Sequence, residues 1–400
     1  MINKPELLAP AGDLERLKIA LKYGADAVYI GGPLLNLRAN AINFTFEEIK
    51  EGVKFAHSLN KKIYVTVNIV LHNEELQELE KYLKKLEECN VDAIIASDPI
   101  VVKEALEKTK LEVHLSTQAS TLNIEACKFW KELGVSRIVL GRECSREEIK
   151  EIISNVDIEI ETFIHGAMCA GYSGRCVMSN FLTNRDANRG GCSQICRWDF
   201  DLLNESKELI KGDKPFTFCS KDLSMLKFIP TMIDMGITSF KIEGRMRSIY
   251  YIATVISIYR KVIDEYCNNK ENYEYNKSYE DTLRRCANRD SVPQFFNGIY
   301  DSSCSYYNGR EEISNQDFLG IVINYNNKTK IATIEQRNCF KVGDIVEIFG
   351  PNHNIITRKI DKIYDEDDNE IQIVRHPRQV VKMRIEDTLD IDDMIRVKSI

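Results

Sequence analysis

Residues 6–32 read ELLAPAGDLERLKIALKYGADAVYIGG and combine two apolar runs with one segment of helical period. The first run, Glu6–Pro10, and the second, Ala27–Gly31, have the length and apolarity of buried β-strands. Between them, Leu14–Tyr23 repeats its apolar residues with helical spacing after Asp13, a residue type that caps helix N-termini. A strand, a helix and a strand in this order predict two parallel strands joined by a right-handed crossover.

The same unit recurs along the first 265 residues. Eight strands are predicted, at Glu6–Pro10, Ala27–Gly31, Lys62–Val70, Ala93–Ser97, Glu112–Ser116, Arg137–Gly141, Glu159–His165 and Ser239–Glu243. Amphipathic segments lie between them, among them Phe46–Ser58, Glu74–Glu88 (with Asn73 as its cap), Ile124–Leu133 and Arg146–Ile153 (with Ser145 as its cap). Eight units over about 250 residues predict an α/β protein with a (β/α)8 TIM-like barrel. An open doubly wound sheet is the alternative, but no G-x-G-x-x-G motif follows any of the strands.

One loop between a predicted strand and the next helix is much longer than the others. More than 50 residues separate the seventh strand from a helix expected near Leu223. This insertion, residues 166–219, follows the carboxyl end of a barrel strand, where the active sites of such barrels lie. A loop of this length needs a stabilising or functional reason, and a bound metal is one.

The composition changes after the last predicted barrel helix, Ile249–Cys267, and becomes polar. A short helix near Tyr279–Cys286 follows, and then an irregular stretch with Asn297–Gly298 and Asn308–Gly309. From Phe318 onward, short β-type runs separated by turn residues predict a small β barrel or sandwich. The predicted domains are a barrel over residues 1–268, a helical and irregular linker over 269–317 and a small β-barrel domain over 318–400.

The composition excludes several classes of protein. The chain of 400 residues is 44% hydrophobic and 29% charged, which rules out a mainly disordered or collagen-like protein. No apolar run approaches the roughly 18 residues of a membrane span, and the N-terminus lacks the apolar segment of a signal peptide, so we expect a cytoplasmic protein that is not bound to a membrane. The net charge of −7 argues against a general nucleic-acid coat but is compatible with a local basic patch.

Four of the twelve cysteines fall within 28 residues: Cys169, Cys176, Cys192 and Cys196. Without a secretory signal, a disulfide framework is disfavoured, and thiol chemistry or a metal is expected instead. Four thiolates suit a structural zinc ion or a [4Fe–4S] cluster. The irregular spacing, C-x6-C-x15-C-x3-C in a glycine-rich loop, favours the cluster and keeps zinc as the alternative. Cys219 is a fifth nearby thiol, which could replace one ligand or pack at the end of the loop.

Charged and polar side chains accompany the cysteines at the predicted strand ends. Cations there would offset the charge of four thiolates, or bind a carboxylate or phosphate. His165, four residues before Cys169, could act as a general acid or base, as a ligand, or as a hydrogen-bonded residue of the rim. The candidate catalytic residues are His165, Arg142, Arg245 and Glu243, and the candidate substrate-binding residues are Gln118, Arg175, Arg247 and Asn68.

Protease machinery is not recognisable in the sequence. The H-E-x-x-H motif of zinc peptidases does not occur, and GYSGR at residues 171–175 lacks the last glycine of G-x-S-x-G. A Cys–His pair could be formed by Cys169 and His165, but such a pair would not explain why three other cysteines cluster with Cys169.

Residues 161–180, ETFIHGAMCAGYSGRCVMSN, resemble the signature of the collagenase-like peptidases, family thirty-two of the peptidases of unknown catalytic type. Residues 6–32, HLSTQAS at 114–120 and SFKIEGRMRS at 239–248 match the same family, and the resemblance covers essentially the whole chain. NRDANRGGCSQICRW at 184–198, followed by CSKDL, is most similar to the tRNA hydroxylation branch of that family.

This resemblance implies an enzyme that forms 5-hydroxyuridine at the wobble position of tRNA, depends on prephenate as a small dicarboxylate co-substrate and carries an iron–sulfur cluster. The cluster ligands that it implies are Cys169, Cys176, Cys192 and Cys196. Four arginines are expected to divide between prephenate carboxylates and tRNA phosphates: Arg142, Arg175, Arg245 and Arg247. A paralogous protein is a further candidate, as a partner subunit of the enzyme. The alternative functions are a collagenase-like peptidase and a non-catalytic RNA-binding protein with a structural metal.

Overall fold

The computed structural model describes residues 4–37, 43–210, 212, 214–287, 289–298, 300–307 and 317–398. The chain divides into two compact units, residues 1–280 with 289–312 and residues 281–288 with 313–400. Residues 269–317, expected as a linker, are therefore shared between the two units. The expected turn at Asn308–Gly309 lies outside the described residues.

The first unit is built around a closed barrel of parallel strands. Its strands are β1 (Glu6–Pro10), β2 (Ala27–Gly31), β3 (Lys62–Val67), β4 (Ala93–Ala96), β5 (Glu112–Leu115), β6 (Arg137–Val139), β7 (Glu159–Gly166), β8 (Asp222–Ser224), β9 (Ser239–Ile242) and β10 (Ser291–Val292). Strands β1 to β7 pair in chain order, and β9 pairs with both β1 and β7, so that eight parallel strands close on themselves. The predicted (β/α)8 barrel is confirmed. Every residue of β2 and β4 is buried, as expected for parallel strands covered on both faces.

Helices alternate with these strands along the chain. They are α1 (Leu14–Lys22), α2 (Phe46–Ser58), α3 (Leu76–Glu88), α4 (Pro99–Lys108), α5 (Ile124–Glu132), α6 (Arg146–Asn155), α7 (Met178–Thr183), α8 (Ile229–Asp234), α9 (Ile249–Asn268) and α10 (Ser278–Cys286). Asp13 caps α1 by accepting a hydrogen bond from the Arg16 backbone at 2.9 Å, and Ser145 caps α6 in a reciprocal arrangement with Glu148. Both caps were predicted. The predicted cap at Asn73 is wrong.

The start of α3 is set by a turn that the apolar pattern does not reveal. The backbone N–H of Glu75 donates to the carbonyl of His72 at 3.2 Å, and the Glu75 carboxylate accepts from the His72 backbone at 2.7 Å. The helix consequently begins at Leu76, with Glu75 rather than Asn73 at the N-cap position.

Several predicted strands end one to three residues early, and one predicted helix is misplaced, where the chain turns to build the rim of the barrel. Strand β3 ends at Val67 rather than Val70, because the backbone N–H of Asn68 turns to the carbonyl of Leu35 at 3.0 Å. Leu223 lies in β8 and not in a helix: β8 runs antiparallel to the end of β7, with Leu223 opposite Gly166. The helix expected there, α8, begins later, at Ile229.

The second unit contains an antiparallel all-β structure, as predicted. Its strands are β11 (Phe318–Asn326), β12 (Ile331–Gln336), β13 (Phe340–Lys341), β14 (Ile345–Gly350), β15 (His353–Lys359), β16 (Ile363–Tyr364), β17 (Glu370–Ile371), β18 (Ile373–Val374), β19 (Val380–Arg384) and β20 (Met394–Val397). Eight strands form one sheet in the order β15-β14-β20-β11-β12-β19-β16-β17, and β13 pairs with β18. Alternating apolar residues such as Val322, Ile334, Ile348 and Val381 are fully buried and form its core.

Within the ranges that the structure describes, no helix combines the length and the apolarity that crossing a bilayer requires.

Candidate active site at the carboxyl ends of the barrel strands

The loops that follow β2, β3, β5, β6, β7 and β9 border a cavity of about 260 Å³. This is the end of the barrel at which chemistry was expected. Nine of the twelve candidate residues line it: Asn68, Gln118, Arg142, Glu243, Arg245, Cys169, Cys176, Cys192 and Cys196. His165, Arg175 and Arg247 lie outside the described lining.

The four clustered cysteines all line the cavity. Cys169 and Cys192 are exposed, and Cys176 and Cys196 are half-buried. Burial and, after it, the nearby negative charge of Cys169 raise the pKa of the Cys196 thiol. The Cys192 sulfur accepts a hydrogen bond from the Gln194 backbone at 3.4 Å. Cys169 and Cys196 are therefore near neighbours in the lining of the cavity.

Thiols are the soft ligands that iron–sulfur clusters and zinc prefer, so the donor type fits either group. In the conformation described, no three His, Cys, Asp or Glu side chains of the described residues are grouped closely enough to hold a metal ion. The described residues also contain no disulfide. Cys219, the fifth nearby thiol, is buried outside the cavity lining, and its Sγ donates to the Ser220 carbonyl at 3.6 Å.

The first half of the insertion is tied to the loop after β6. Ser173 is buried, and both its backbone N–H and its hydroxyl donate to the Glu143 carboxylate, at 2.9 and 3.2 Å. The Ser120 hydroxyl donates to the Ser173 carbonyl. Gly174 has a φ of +74° and packs directly on the Gln118 backbone. The Ser173 hydroxyl of GYSGR is thus held in a contact that docks the insertion, and no histidine of the described cavity lining accompanies it.

The second half of the insertion is tied to the segment after β3. The Arg189 guanidinium donates to the Glu75 carboxylate and, at 2.8 Å, to the Val70 carbonyl. The hydrogen bond from Arg189 lowers the pKa of Glu75. The Asn188 side chain donates to the Cys176 carbonyl at 2.9 Å. This half therefore connects a cysteine of the cavity to the barrel.

Arg142 forms part of the cavity wall. Its guanidinium carbon lies 3.8 Å from the centre of the Phe163 ring, in a cation–π contact. Its Nη1 donates to the Ala167 carbonyl. Together these contacts fix the guanidinium plane beside the start of the insertion.

Arg245 also lines the cavity and is buried, with 5% of its surface exposed. Its Nη2 donates to the side-chain oxygens of Asn36 and Asn43, at 2.9 Å each. A Cβ at position 31 would overlap the guanidinium, so Gly31 is required for this close approach. Arg245 is consequently a fixed cation.

Asn68 and Glu143 each present a buried oxygen that lacks a hydrogen-bond partner among the described residues: Asn68 Oδ1 and Glu143 Oε2. Both residues line the cavity. The other end of the Asn68 amide is held, because its Nδ2 donates to the Ser116 hydroxyl at 3.3 Å. Buried acceptors without partners cost free energy, so these two atoms point to a ligand with hydrogen-bond donors.

His165 is not at the cavity. Its ring packs against Tyr251 and Tyr259, and its Nδ1 lies 3.3 Å from the Tyr259 hydroxyl. Burial and, after it, the positive charge of Arg247 lower the pKa of His165 to about 3, so the ring is neutral at pH 7. Arg247 itself lies 3.5 Å from the Asp222 carboxylate. This placement does not support a role for His165 as a general acid or base in the cavity or as a ligand of a group bound there.

A buried cation that lines the cavity was not predicted from the sequence. Lys241 lines the cavity and is almost fully buried, and its Nζ lies 2.8 Å from the Glu161 carboxylate. Glu161 is also 3.3 Å from Arg137. Burial lowers the pKa of Lys241, and Glu161 opposes that shift. A signal was available, because charged residues inside apolar strands such as SFKI are unusual and need partners.

Fold and site together define a (β/α)8-barrel protein whose cavity, at the carboxyl ends of the strands, is lined by a four-cysteine insertion. The chain belongs to peptidase family U32. The model of that family matches residues 12–304, and the model of the family's C-terminal domain matches residues 314–396.

Curated relatives carry names from two kinds of chemistry. The chain is 51% identical over 400 residues to "tRNA hydroxylation protein P1" of Bacillus subtilis, an alignment that covers 98% of this chain and 95% of the relative. It is 39% identical over 262 residues to "23S rRNA 5-hydroxycytidine C2501 synthase" of Escherichia coli, covering 66% of this chain and 40% of the relative. It is 32% identical over 376 residues to "Collagenase" of Porphyromonas gingivalis, covering 90% of each.

Proposed function

We propose that this chain is an enzyme that hydroxylates RNA, and that its substrate is the wobble uridine of tRNA, which it converts to 5-hydroxyuridine. The observation that carries the proposal is that four cysteines line one cavity at the carboxyl ends of the barrel strands. The names of two relatives, which refer to tRNA hydroxylation and to a 5-hydroxylated pyrimidine of rRNA, support RNA as the substrate and hydroxylation as the reaction. A tRNA substrate implies an activity in the cytoplasm.

The proposed cofactor is a [4Fe–4S] cluster, with zinc as the alternative. Its ligands would be Cys169, Cys176, Cys192 and Cys196, which are the four thiols of the cavity. Such a cluster supplies one-electron transfer when bound. Two residues of the insertion would position the ligands: Ser173 binds Glu143 of the loop after β6, and Asn188 binds both the Cys176 carbonyl and the Val70 backbone N–H of the segment after β3.

The proposed co-substrate is prephenate, a small dicarboxylate. A dianion in a partly dry cavity requires fixed cations, because a buried charge without a partner is costly. Arg142 and Arg245 meet this requirement, since both line the cavity and both are held by protein groups. Lys241 cannot contribute a full charge, because Glu161 is paired with it.

The base would be read by neutral groups. Uracil presents one N–H donor between two carbonyl acceptors, and Asn68 Oδ1 is a buried acceptor without a partner on the cavity wall. Asn68 thus suits the N–H of uracil, which cytosine lacks at the corresponding position.

Peptidase activity is not favoured by the geometry. No histidine lines the cavity as described, and the Ser173 hydroxyl donates to Glu143. The described cavity lining therefore contains neither a serine–histidine nor a cysteine–histidine pair, the arrangements that activate the nucleophiles of many peptidases.

The decisive experiment is a nucleoside mass profile of tRNA from a deletion strain. Wobble 5-hydroxyuridine should be lost and should return with the wild-type gene but not with Cys196→Ala. If the deletion strain keeps the modified nucleoside and no paralogue accounts for it, the proposal is wrong. A collagen-degradation assay on the same purified protein tests the peptidase alternative.

A further inference from the structure

The insertion exposes apolar side chains next to the cavity. Phe181 exposes 90% of its surface and Trp198 exposes 50%. Val177, one helical turn before Phe181, and Leu182, which directly follows it, are also exposed. We call this group, together with Tyr172, the insertion surface. Exposed apolar side chains that are concentrated in one segment are a common feature of binding surfaces.

The members of the insertion surface lie on adjoining elements. Helix α7 carries Phe181 and Leu182, and it packs against the 3₁₀ turn Ile195–Arg197, which Trp198 directly follows. Aromatic rings are therefore presented from two neighbouring elements that the cysteine loop holds together.

The charge of this segment is opposite to that of the chain. Residues 169–198 contain four arginines and one acidic residue, Asp186, whereas the whole chain has a net charge of −7. Arg189 pairs with Glu74 and Glu75. The three other arginines, Arg175, Arg185 and Arg197, make no ion pair with any residue that the structure describes.

Neutral groups are the partners found for two of these three. Arg175 Nε donates to the Ser120 hydroxyl at 3.1 Å, and Arg197 Nη1 donates to the Gln194 side chain at 3.0 Å. Neutral partners orient a guanidinium and leave its charge available to an anion.

The insertion surface is continuous with the cavity. Tyr172 belongs to the insertion surface and also lines the cavity, and the cavity lining includes Cys176 and Arg197, which precede Val177 and Trp198 in the chain. A ligand lying across the surface could therefore place one of its units in the cavity. For a nucleic acid, that unit would be a base taken out of its stack.

We propose that the insertion surface binds an unpaired stretch of RNA, with bases stacked on Phe181 and Trp198 and phosphates paired with Arg175, Arg185 and Arg197. This inference rests on the proposed RNA hydroxylation and names the surface that would present the substrate. Exposed aromatic faces beside cations are the combination that single-stranded nucleic acids require. A protein partner would have to supply the carboxylates that these arginines lack, and it is the competing outcome.

The first test measures RNA affinity of the full chain by fluorescence anisotropy. The probe is a labelled anticodon stem–loop with uridine at the wobble position, and a fully paired duplex of equal length is the comparison. Phe181→Ala and Trp198→Ala should each weaken binding of the stem–loop about 5- to 150-fold, the range of one lost base–aromatic stack, and should leave duplex binding nearly unchanged.

Conservative variants separate stacking from simple apolar contact. Phe181→Tyr keeps an aromatic face and should bind near the wild-type level, whereas Phe181→Leu keeps apolar area only and should resemble Phe181→Ala. The matched control is Phe129→Ala, which removes an exposed ring (54%) from α5, away from the insertion. It should leave RNA affinity unchanged.

Salt dependence tests the arginines. Arg185→Ala should reduce the slope of log affinity against log salt by about 0.7, the value for one phosphate contact to a single strand. Arg146→Ala, which removes an exposed arginine paired with Glu147, should not change the slope.

Two results would overturn the inference. One is wild-type RNA affinity in Phe181→Ala and Trp198→Ala. The other combines three observations: the wild-type protein self-associates, Phe181→Ala abolishes that association, and Phe181→Leu keeps both the association and the RNA affinity. This result would show that the surface binds a protein. The binding assay decides the surface even if the wild-type gene fails to restore 5-hydroxyuridine, and that failure would count against the proposed function separately.

Discussion

The backbone of Gln118 occupies the space that a side chain on Gly174 would need: a Cβ at position 174 would overlap the Gln118 carbonyl. Gly174 also has a φ of +74°, which favours glycine. The loop after β5 and the segment between Cys169 and Cys176 are thus packed backbone to backbone. The position of two thiols depends on this contact.

Gly174→Ala should displace the segment between Cys169 and Cys176 and lower the iron content of anaerobically purified protein. The unfavourable φ alone should cost about 1–3 kcal/mol of stability. Gly298→Ala is the matched control, because Gly298 has a φ of +100° but open space around it. Gly298→Ala should lose a similar amount of stability, because its backbone is strained in the same way, but its iron content should match that of the wild type. Equal iron content in the two variants would contradict the role given to this contact.

The four cavity thiols should hold about four irons per chain, as a [4Fe–4S] cluster requires. Replacing any of them by alanine should bleach the brown protein, which absorption spectra and iron analysis would measure. Cys219→Ala should retain its iron, because Cys219 is buried outside the cavity. Stoichiometric zinc in anaerobic protein that takes up no iron would disprove the cluster. Bleaching by Cys219→Ala but not by Cys196→Ala would show that a ligand is misassigned.

Arg142 should hold a co-substrate carboxylate. Arg142→Ala should weaken prephenate binding about 10- to 150-fold, the cost of losing hydrogen bonds to a charged group, and should abolish 5-hydroxyuridine formation in a complemented deletion strain. Arg142→Lys should not restore activity, because an ammonium cannot bind a carboxylate through two parallel hydrogen bonds. RNA affinity should be unchanged in both variants. Normal hydroxylation in Arg142→Ala and in Arg245→Ala would rule out this carboxylate site.

His165 should make stability depend on pH in mildly acidic solution. Its pKa is about 3 in the folded chain against an ordinary value of 6.5, so between these values the unfolded chain binds more protons than the folded one. Stability should therefore fall as the pH falls from about 6.5 toward 3, with a slope of up to about 1.4 kcal/mol per pH unit.

His165→Gln should flatten this slope, as measured by urea unfolding between about pH 4 and pH 6. The control is His72→Gln, since His72 is exposed. An unchanged slope in His165→Gln would show that the histidine is accessible to protons in the folded state.

Most of the barrel could be predicted from local patterns. Buried parallel strands are short apolar runs, and the residue types at Asp13 and Ser145 cap helices through contacts only three residues away. The cap at Asn73 failed because the adjacent turn is set by Glu75, whose carboxylate binds Arg189 more than one hundred residues later. No window of sequence contains that interaction.

The part of the candidate site that lies at the ends of the barrel strands could be predicted from the sequence. Asn68, Gln118, Arg142 and Arg245 all follow barrel strands, and the topology brings those ends together. The position of His165 could not be predicted in the same way. Side chains of a strand alternate between its two faces, so an error of one residue in the predicted strand moves a side chain to the opposite face. Lys241 was overlooked because a charge within a strand is usually taken as a sign of exposure, whereas here Glu161 compensates it.

The two ends of the cysteine insertion leave and re-enter the barrel as neighbours, since Gly166 of β7 stands opposite Leu223 of β8. The excursion between them is a closed loop, and its length does not affect the spacing of any barrel strand. Doubling such a loop costs only about 0.6 kcal/mol in closure entropy. The length of the insertion can therefore vary without displacing the barrel strands, whereas its contacts with Glu75, Gln118 and Glu143 tie its course to this particular barrel.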